Sequence, residues 1–94
     1  MITAEQYEVL QWFSTDNYRN YKGLMRLTGQ TKKQLSPIVK QLRELGLIKH
    51  AKGLMDEEGF VWGSGWIQTT AGGSAQYEYE DANFYATSNK EKEL

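Results

Sequence analysis

The stretch Thr31-Lys32-Lys33-Gln34-Leu35-Ser36-Pro37-Ile38-Val39-Lys40-Gln41-Leu42-Arg43-Glu44-Leu45-Gly46-Leu47-Ile48 carries start, body and stop signals of one helix. Thr31 and Gln34 stand in the T-x-x-Q spacing of a capping box, where each side chain satisfies the other's backbone amide. Leu35, Ile38, Val39, Leu42 and Leu45 recur at helical spacing, and Gly46 sits where a left-handed C-cap belongs. At about 100° per residue, Lys33, Pro37, Lys40 and Glu44 lie opposite that apolar stripe, with Ser36 beside them. Pro37 removes one backbone hydrogen bond, but so early in the helix that only the carbonyl near Lys33 loses its partner. A helix that begins at Pro37 with Ser36 as its cap is the competing local reading.

Upstream, Thr3 and Gln6 repeat the capping-box spacing, and Ile2 and Tyr7 are placed for a hydrophobic staple. Tyr7, Val9, Leu10, Trp12 and Phe13 then give a first helix that Ser14, Thr15, Asp16 and Asn17 end. A second, shorter helix is predicted from about Tyr21 to Thr28, capped by Asn20 and closed by Gly29; Leu24, Met25 and Leu27 form its core side.

Downstream of Gly46, short apolar runs replace the helical period. Leu47, Ile48, Gly53, Leu54 and Met55 lead into Asp56-Glu57-Glu58-Gly59, then Phe60 to Gln68, which reads as a β-hairpin with an acidic tip. Gly63 and Gly65 in the returning strand predict a bulge or a close backbone approach. Glycines favour a loop from Thr70 to Ser74. The pattern is therefore α+β: three helices and a two-stranded hairpin wing, a winged helix-turn-helix over residues 1–75. Residues 76–94 form an acidic, aromatic extension, on a last helix or strand, with a frayed end.

The chain has 94 residues, 11 Lys and Arg, 12 Asp and Glu, and a net charge of −1. Only Lys90 and Lys92 among the basic residues lie outside residues 17–55, and only Glu44 among the acidic ones lies inside. A basic middle between acidic ends suits one face to a polyanion.

The run from Gly29 to Ile48 resembles the helix-turn-helix core of MarR-type regulators, with Leu35-Ser36-Pro37 near the helix start and Leu42-Arg43-Glu44-Leu45-Gly46-Leu47-Ile48 as its exit. Thr69-Thr70-Ala71-Gly72-Gly73 resembles the family's Leu-Thr-x-x-Gly after the wing. The likeness spans about residues 5 to 73. It differs in two ways: so short a chain leaves no room for the long flanking helices of that family, and the wing tip is acidic where the family offers arginine. The resemblance implies a DNA-binding domain without that dimerisation and ligand-pocket apparatus.

In such a domain the second helix of the pair enters the major groove, N-terminal part against the bases. Thr31, Lys32, Lys33, Gln34, Ser36, Pro37 and Lys40 are then the contact set, lysine for guanine and glutamine for adenine. Lys22, Arg43, Lys49 and Lys52, with Arg19, Arg26 and His50, would neutralise phosphates. Structural alternatives stand beside these: Gln34 as half of a cap, Lys32 and Lys33 as solvated charges, Ser36 and Pro37 as helix-start residues. Trp62 and Trp66 read first as hairpin packing; with Tyr77, Tyr79, Phe84 and Tyr85 they are also the candidates for a dimer or partner contact.

One histidine and no cysteine supply no catalytic triad, thiolate nucleophile or metal set, so neither an enzyme nor a cofactor is expected. No apolar stretch is long enough to span a membrane, and a cytoplasmic protein is expected. The primary reading is a small, sequence-specific regulator of double-stranded DNA, dimeric on a palindromic site. The rival is a protein-interaction module that uses the acidic wing and the tryptophan hairpin.

Overall fold

A computed structural model describes residues 1–15, 18–52 and 64–85, with the backbone alone for Lys52, Ser64 and Tyr85. The elements are α1 (Ala4–Leu10), α2 (Tyr21–Thr28), α3 (Lys32–Glu44), β1 (Ile48–Lys52), β2 (Ser64–Gln68) and α4 (Thr70–Glu80), followed by a π-helical turn over Asp81–Tyr85. This is the predicted α+β winged-helix order, with a fourth helix added. The acidic tip Asp56-Glu57-Glu58-Gly59, Trp62, Gly63, the Asp16-Asn17 pair and the terminal segment lie outside the described residues.

Both capping boxes form. Thr31 Oγ1 accepts from Gln34 N at 3.2 Å while Gln34 Oε1 accepts from Thr31 N at 2.9 Å, and Thr3 and Gln6 do the same at the start of α1. The helix therefore begins at Lys32 and carries Pro37 inside it; the alternative start at Pro37 is not used. Asn20 caps α2 through Gly23 N, and Gly29 ends it with φ 71°. At the end of α3 the amide of Leu47 reaches Leu42 O at 2.9 Å and that of Gly46 reaches Arg43 O at 3.0 Å. With Gly46 at φ 74° this is a complete Schellman turn, a conformation that costs a side-chain-bearing residue steric strain.

The first helix stops earlier than its composition predicts, at Leu10 rather than Ser14. Tertiary partners reach the carbonyls here: Gln68 Nε2 donates to Leu10 O, the last of the helix, at 3.4 Å, and Arg19 Nε donates to Trp12 O in the turn that follows at 2.9 Å. Trp12 and Phe13 follow in a tighter turn bonded to Val9 O and Leu10 O.

The strands pair antiparallel, Ile48 opposite Gln68 and His50 opposite Trp66. A further antiparallel bridge joins Arg19 to Trp66 through two backbone bonds of 2.8 Å, so β2 is flanked on both sides. Gly65 permits this approach: a Cβ there would stand 2.6 Å from Arg19 O, which is the close backbone contact anticipated for it.

The predicted loop at residues 70–74 is instead the first turn of α4. Thr69 caps it by accepting from Gly72 N at 3.0 Å, and its hydroxyl also donates to Gly46 O at 2.6 Å. Gly72 packs directly on the Leu47 carbonyl, in space that any Cβ would fill. Tertiary contact thus overrides the poor helix propensity of two adjacent glycines, about 1 kcal/mol each.

Val9, Leu10, Phe13, Leu24, Leu35, Ile38, Val39, Leu42, Leu47 and Ile48 form one buried core beneath the helices and β1. Leu45, placed on the apolar stripe by spacing alone, is the helix C-cap and is 56 % exposed, because the Schellman turn has already redirected the chain.

Gly72→Ala is expected to lower the unfolding free energy by about 1–3 kcal/mol, since a rigid helix would be pushed off a rigid carbonyl. Gly73→Ala, whose Cβ would meet only Gln68 Oε1 at 3.5 Å, should raise it by up to about 1 kcal/mol. Urea denaturation measures both, and equal effects would contradict this packing account.

Candidate nucleic-acid interface

The outer surface of α3 follows from its inner one. Leu35, Ile38, Val39 and Leu42 are buried, so Lys32, Lys33, Ser36, Pro37, Lys40, Arg43 and Glu44 are turned to solvent. The Gly29-Gln30-Thr31 turn sets α3 against α2, whose Lys22 and Arg26 are also exposed. Lys49 and His50 on β1 extend the basic surface past the end of α3. Among the described residues, Lys22, Arg26, Lys33, Lys40, Arg43 and Lys49 form no ion pair. Exposed cations that are not ion-paired, with Glu44 the one acid among the outer residues of α3, leave a positive field outside the protein.

Three side chains are more constrained than their charge suggests. The Lys32 ammonium lies 5.0 Å from the centre of the Tyr21 ring, tethered by a cation–π contact. Arg19 is half-buried, and its Nε bond to Trp12 O makes it a brace for the end of α1. Gln34 Oε1 is engaged by Thr31 N, and a bidentate contact to adenine needs that same oxygen. The capping role and the base-reading role of Gln34 therefore compete. The cap also occupies the amides of Thr31 and Gln34, so the amides of Lys32 and Lys33 are those left at this helix start for an anion.

The aromatic residues separate into internal and external groups. Trp66 packs edge-on against Tyr21 at 4.8 Å and is part of the wing's base. Tyr79 stacks on Tyr7 at 4.4 Å and 17°, with Phe84 closing the cluster at about 6 Å from both. Tyr7 Oη also donates to Glu80 Oε2 at 3.2 Å, which fastens α4 to α1. Tyr77 is 68 % exposed and Phe84 50 % exposed. Trp62 and the side chains of Lys52 and Tyr85 lie outside the described residues. The α4–α1 aromatic seam escaped the sequence reading. The five-residue spacing from Tyr79 to Phe84 fits no single α-helical face: Tyr79 meets Tyr7 from α4 itself, and Phe84 meets it from the π-turn over residues 81–85.

Thr31→Ala should reduce the unfolding free energy by about 1 kcal/mol through loss of the N-cap. Gln34→Glu keeps the reciprocal acceptor and adds a negative charge at the helix start, so stability should hold within about 0.5 kcal/mol or rise. Denaturant titration of the two variants separates these outcomes; a large loss for Gln34→Glu would refute the capping geometry.

No family model matches the sequence, and no curated protein matches it. In fold, the chain is similar to the structure of a point mutant of S. aureus MepR, MepR being a MarR-family regulator. The TM-score is 0.73 at 16 % identity, over 99 % of this chain and 66 % of that one. The winged-helix architecture expected from the Gly29–Ile48 stretch is thus the architecture the two structures share.

Proposed function

We propose that this chain is a cytoplasmic regulator that binds double-stranded DNA, with α3 in the major groove. The observation that carries the reading is the outer face of α3: exposed, basic, free of ion pairs among the described residues, and held on the second helix of a helix-turn-helix pair. The fold likeness to a MarR-family regulator supports it.

In this reading Lys33, Ser36, Pro37 and Lys40 face base edges. Lysine donates to guanine O6 and N7, serine serves either partner, and the proline ring offers an apolar surface to a thymine methyl. Lys22 and Arg26 on α2, with Arg43 and Lys49 beyond the helix, meet phosphates and set register. Lys32 reaches the backbone while resting on Tyr21. One copy touches few base pairs, so selectivity calls for two copies on half-sites about 34–36 Å apart. Tyr77 and Phe84, apolar and exposed beside the acidic end of α4, are the proposed self-contact.

Fluorescence anisotropy of a labelled duplex across a salt series tests the DNA reading. The logarithm of the binding constant should fall linearly with the logarithm of salt, by roughly 0.9 per phosphate neutralised. A Lys33→Glu/Lys40→Glu variant should lose at least about tenfold in affinity, with a slope flatter by roughly 2. A folded protein that binds no duplex at low salt would overturn the proposal. For the dimer, sedimentation should show Tyr77→Asp shifting the chain toward monomer; a wild type that is monomeric throughout would discard the self-contact.

A further inference from the structure

The basic surface is not uniformly convex. Beyond the base-facing half of α3, Lys40, Arg43 and Glu44 stand across from Ile48, Lys49 and His50 of β1, and these six residues line a groove of about 460 Å³. Only Leu45, Gly46 and Leu47 separate its two walls in sequence, so the Schellman turn sets their spacing. The groove is a built feature of the helix–wing junction.

Its chemistry favours an oxyanion. Lys40, Arg43 and Lys49 are permanent cations, and none is ion-paired among the described residues, although Glu44 shares the groove. His50 is exposed, and its ring is held edge-on to Trp66 at 6.1 Å and 74°. Trp66 is in turn wedged against Tyr21, so the imidazole stands on a supported aromatic base. Lys40 belongs both to this groove and to the exposed face of α3, so the groove adjoins the proposed base-contacting surface.

We propose that this groove seats a phosphodiester of the DNA backbone and that His50 binds it as the imidazolium, so DNA association takes up one proton. The inference rests on the DNA-binding reading above. The proton comes from solvent to the second imidazole nitrogen, and an N–H of the resulting cation donates to a phosphate oxygen. The diester itself stays singly negative throughout, so a pH effect on affinity reports the protein.

The Trp66 ring from β2 stands against His50, and the charged residues lining the groove with it are Lys40, Arg43 and Glu44 from α3 and Lys49, whose side chain alternates to the other face of the same strand. Among these side-chain types only imidazole ordinarily changes charge between about pH 5 and 8. A phosphate beside the ring stabilises its charged form, so affinity is greatest at the acidic end of that window and declines as pH rises.

The test is duplex anisotropy at constant ionic strength from pH 6.0 to 8.0, on wild type, His50→Gln and His50→Arg. Wild type should bind about fivefold more tightly at the acidic end, with a salt slope steeper by up to about 0.9. His50→Gln should be flat with pH and match wild type at pH 8.0. His50→Arg should be flat and match wild type at pH 6.0. Because His50 is the chain's single histidine, its imidazole resonance is unambiguous by NMR and should titrate at higher pH with duplex bound than without.

Two results overturn the inference while leaving the DNA reading intact: duplex binding whose pH dependence is the same in wild type and His50→Gln, or an imidazole titration that duplex leaves unmoved. A shift produced equally by inorganic phosphate at matched ionic strength, with no pH effect on duplex binding, would assign the groove to free phosphate and likewise overturn it. A folded wild type that binds no duplex at any pH removes the DNA reading, and this inference with it.

Discussion

The C-terminal end of α3 and both ends of the hairpin depend on one crowded junction between the Gly46–Leu47 peptide and the start of α4. Gly46 reverses the chain after α3, and its carbonyl accepts the Thr69 hydroxyl at 2.6 Å; Leu47 O accepts Thr69 N at 3.0 Å. Thr69 simultaneously caps α4, and Gly72 lets that helix rest on the Leu47 carbonyl itself. Two chain reversals, one before the hairpin and one after it, are thereby locked to each other. The cost of ordering the hairpin ends is offset by hydrogen bonds made where the two backbones are in contact.

The consequence for the interface is rigidity from both ends. At its start α3 is held by the Thr31–Gln34 box, and at its finish by the Schellman turn. The buried stripe of Leu35, Ile38, Val39 and Leu42 fixes its rotation about its own axis. A helix so constrained can keep several like charges on one side without rearranging to relieve their repulsion.

The C-terminal helix is integrated rather than appended. Its aromatic seam with Tyr7, its Tyr7–Glu80 hydrogen bond, and the Gln68–Gln76 contact at 2.8 Å tie it to α1 and β2. Gln68 is the hub here: buried, it bonds α4 through its side chain and closes on Leu10 and Ser14 carbonyls of the first segment. A single polar residue thus gives Ser14 O a backbone partner and adds a second donor to Leu10 O, which already accepts from Phe13 N.

What the sequence by itself determined is local. The capping boxes at Thr3 and Thr31, the Asn20 cap, the positive-φ glycines at 29 and 46 and the apolar stripe of α3 need only neighbours within a few residues, so spacing was enough to read them. So was the winged-helix order, because it is the sum of those elements with a hairpin after them. Tertiary structure alone decided what depends on distant partners. The residues from Thr70 to Ser74 became helix because Gly72 lies against Leu47. The first helix gave way after Leu10 to a tighter turn whose carbonyls, Leu10 O and Trp12 O, bond Gln68 and Arg19. Arg19 turned into a brace, Tyr79 turned inward onto Tyr7, and Lys40, Arg43, Lys49 and His50 came to line one groove. In each case the deciding contact joins elements that local spacing treats separately, and no periodicity or propensity encodes such a pairing.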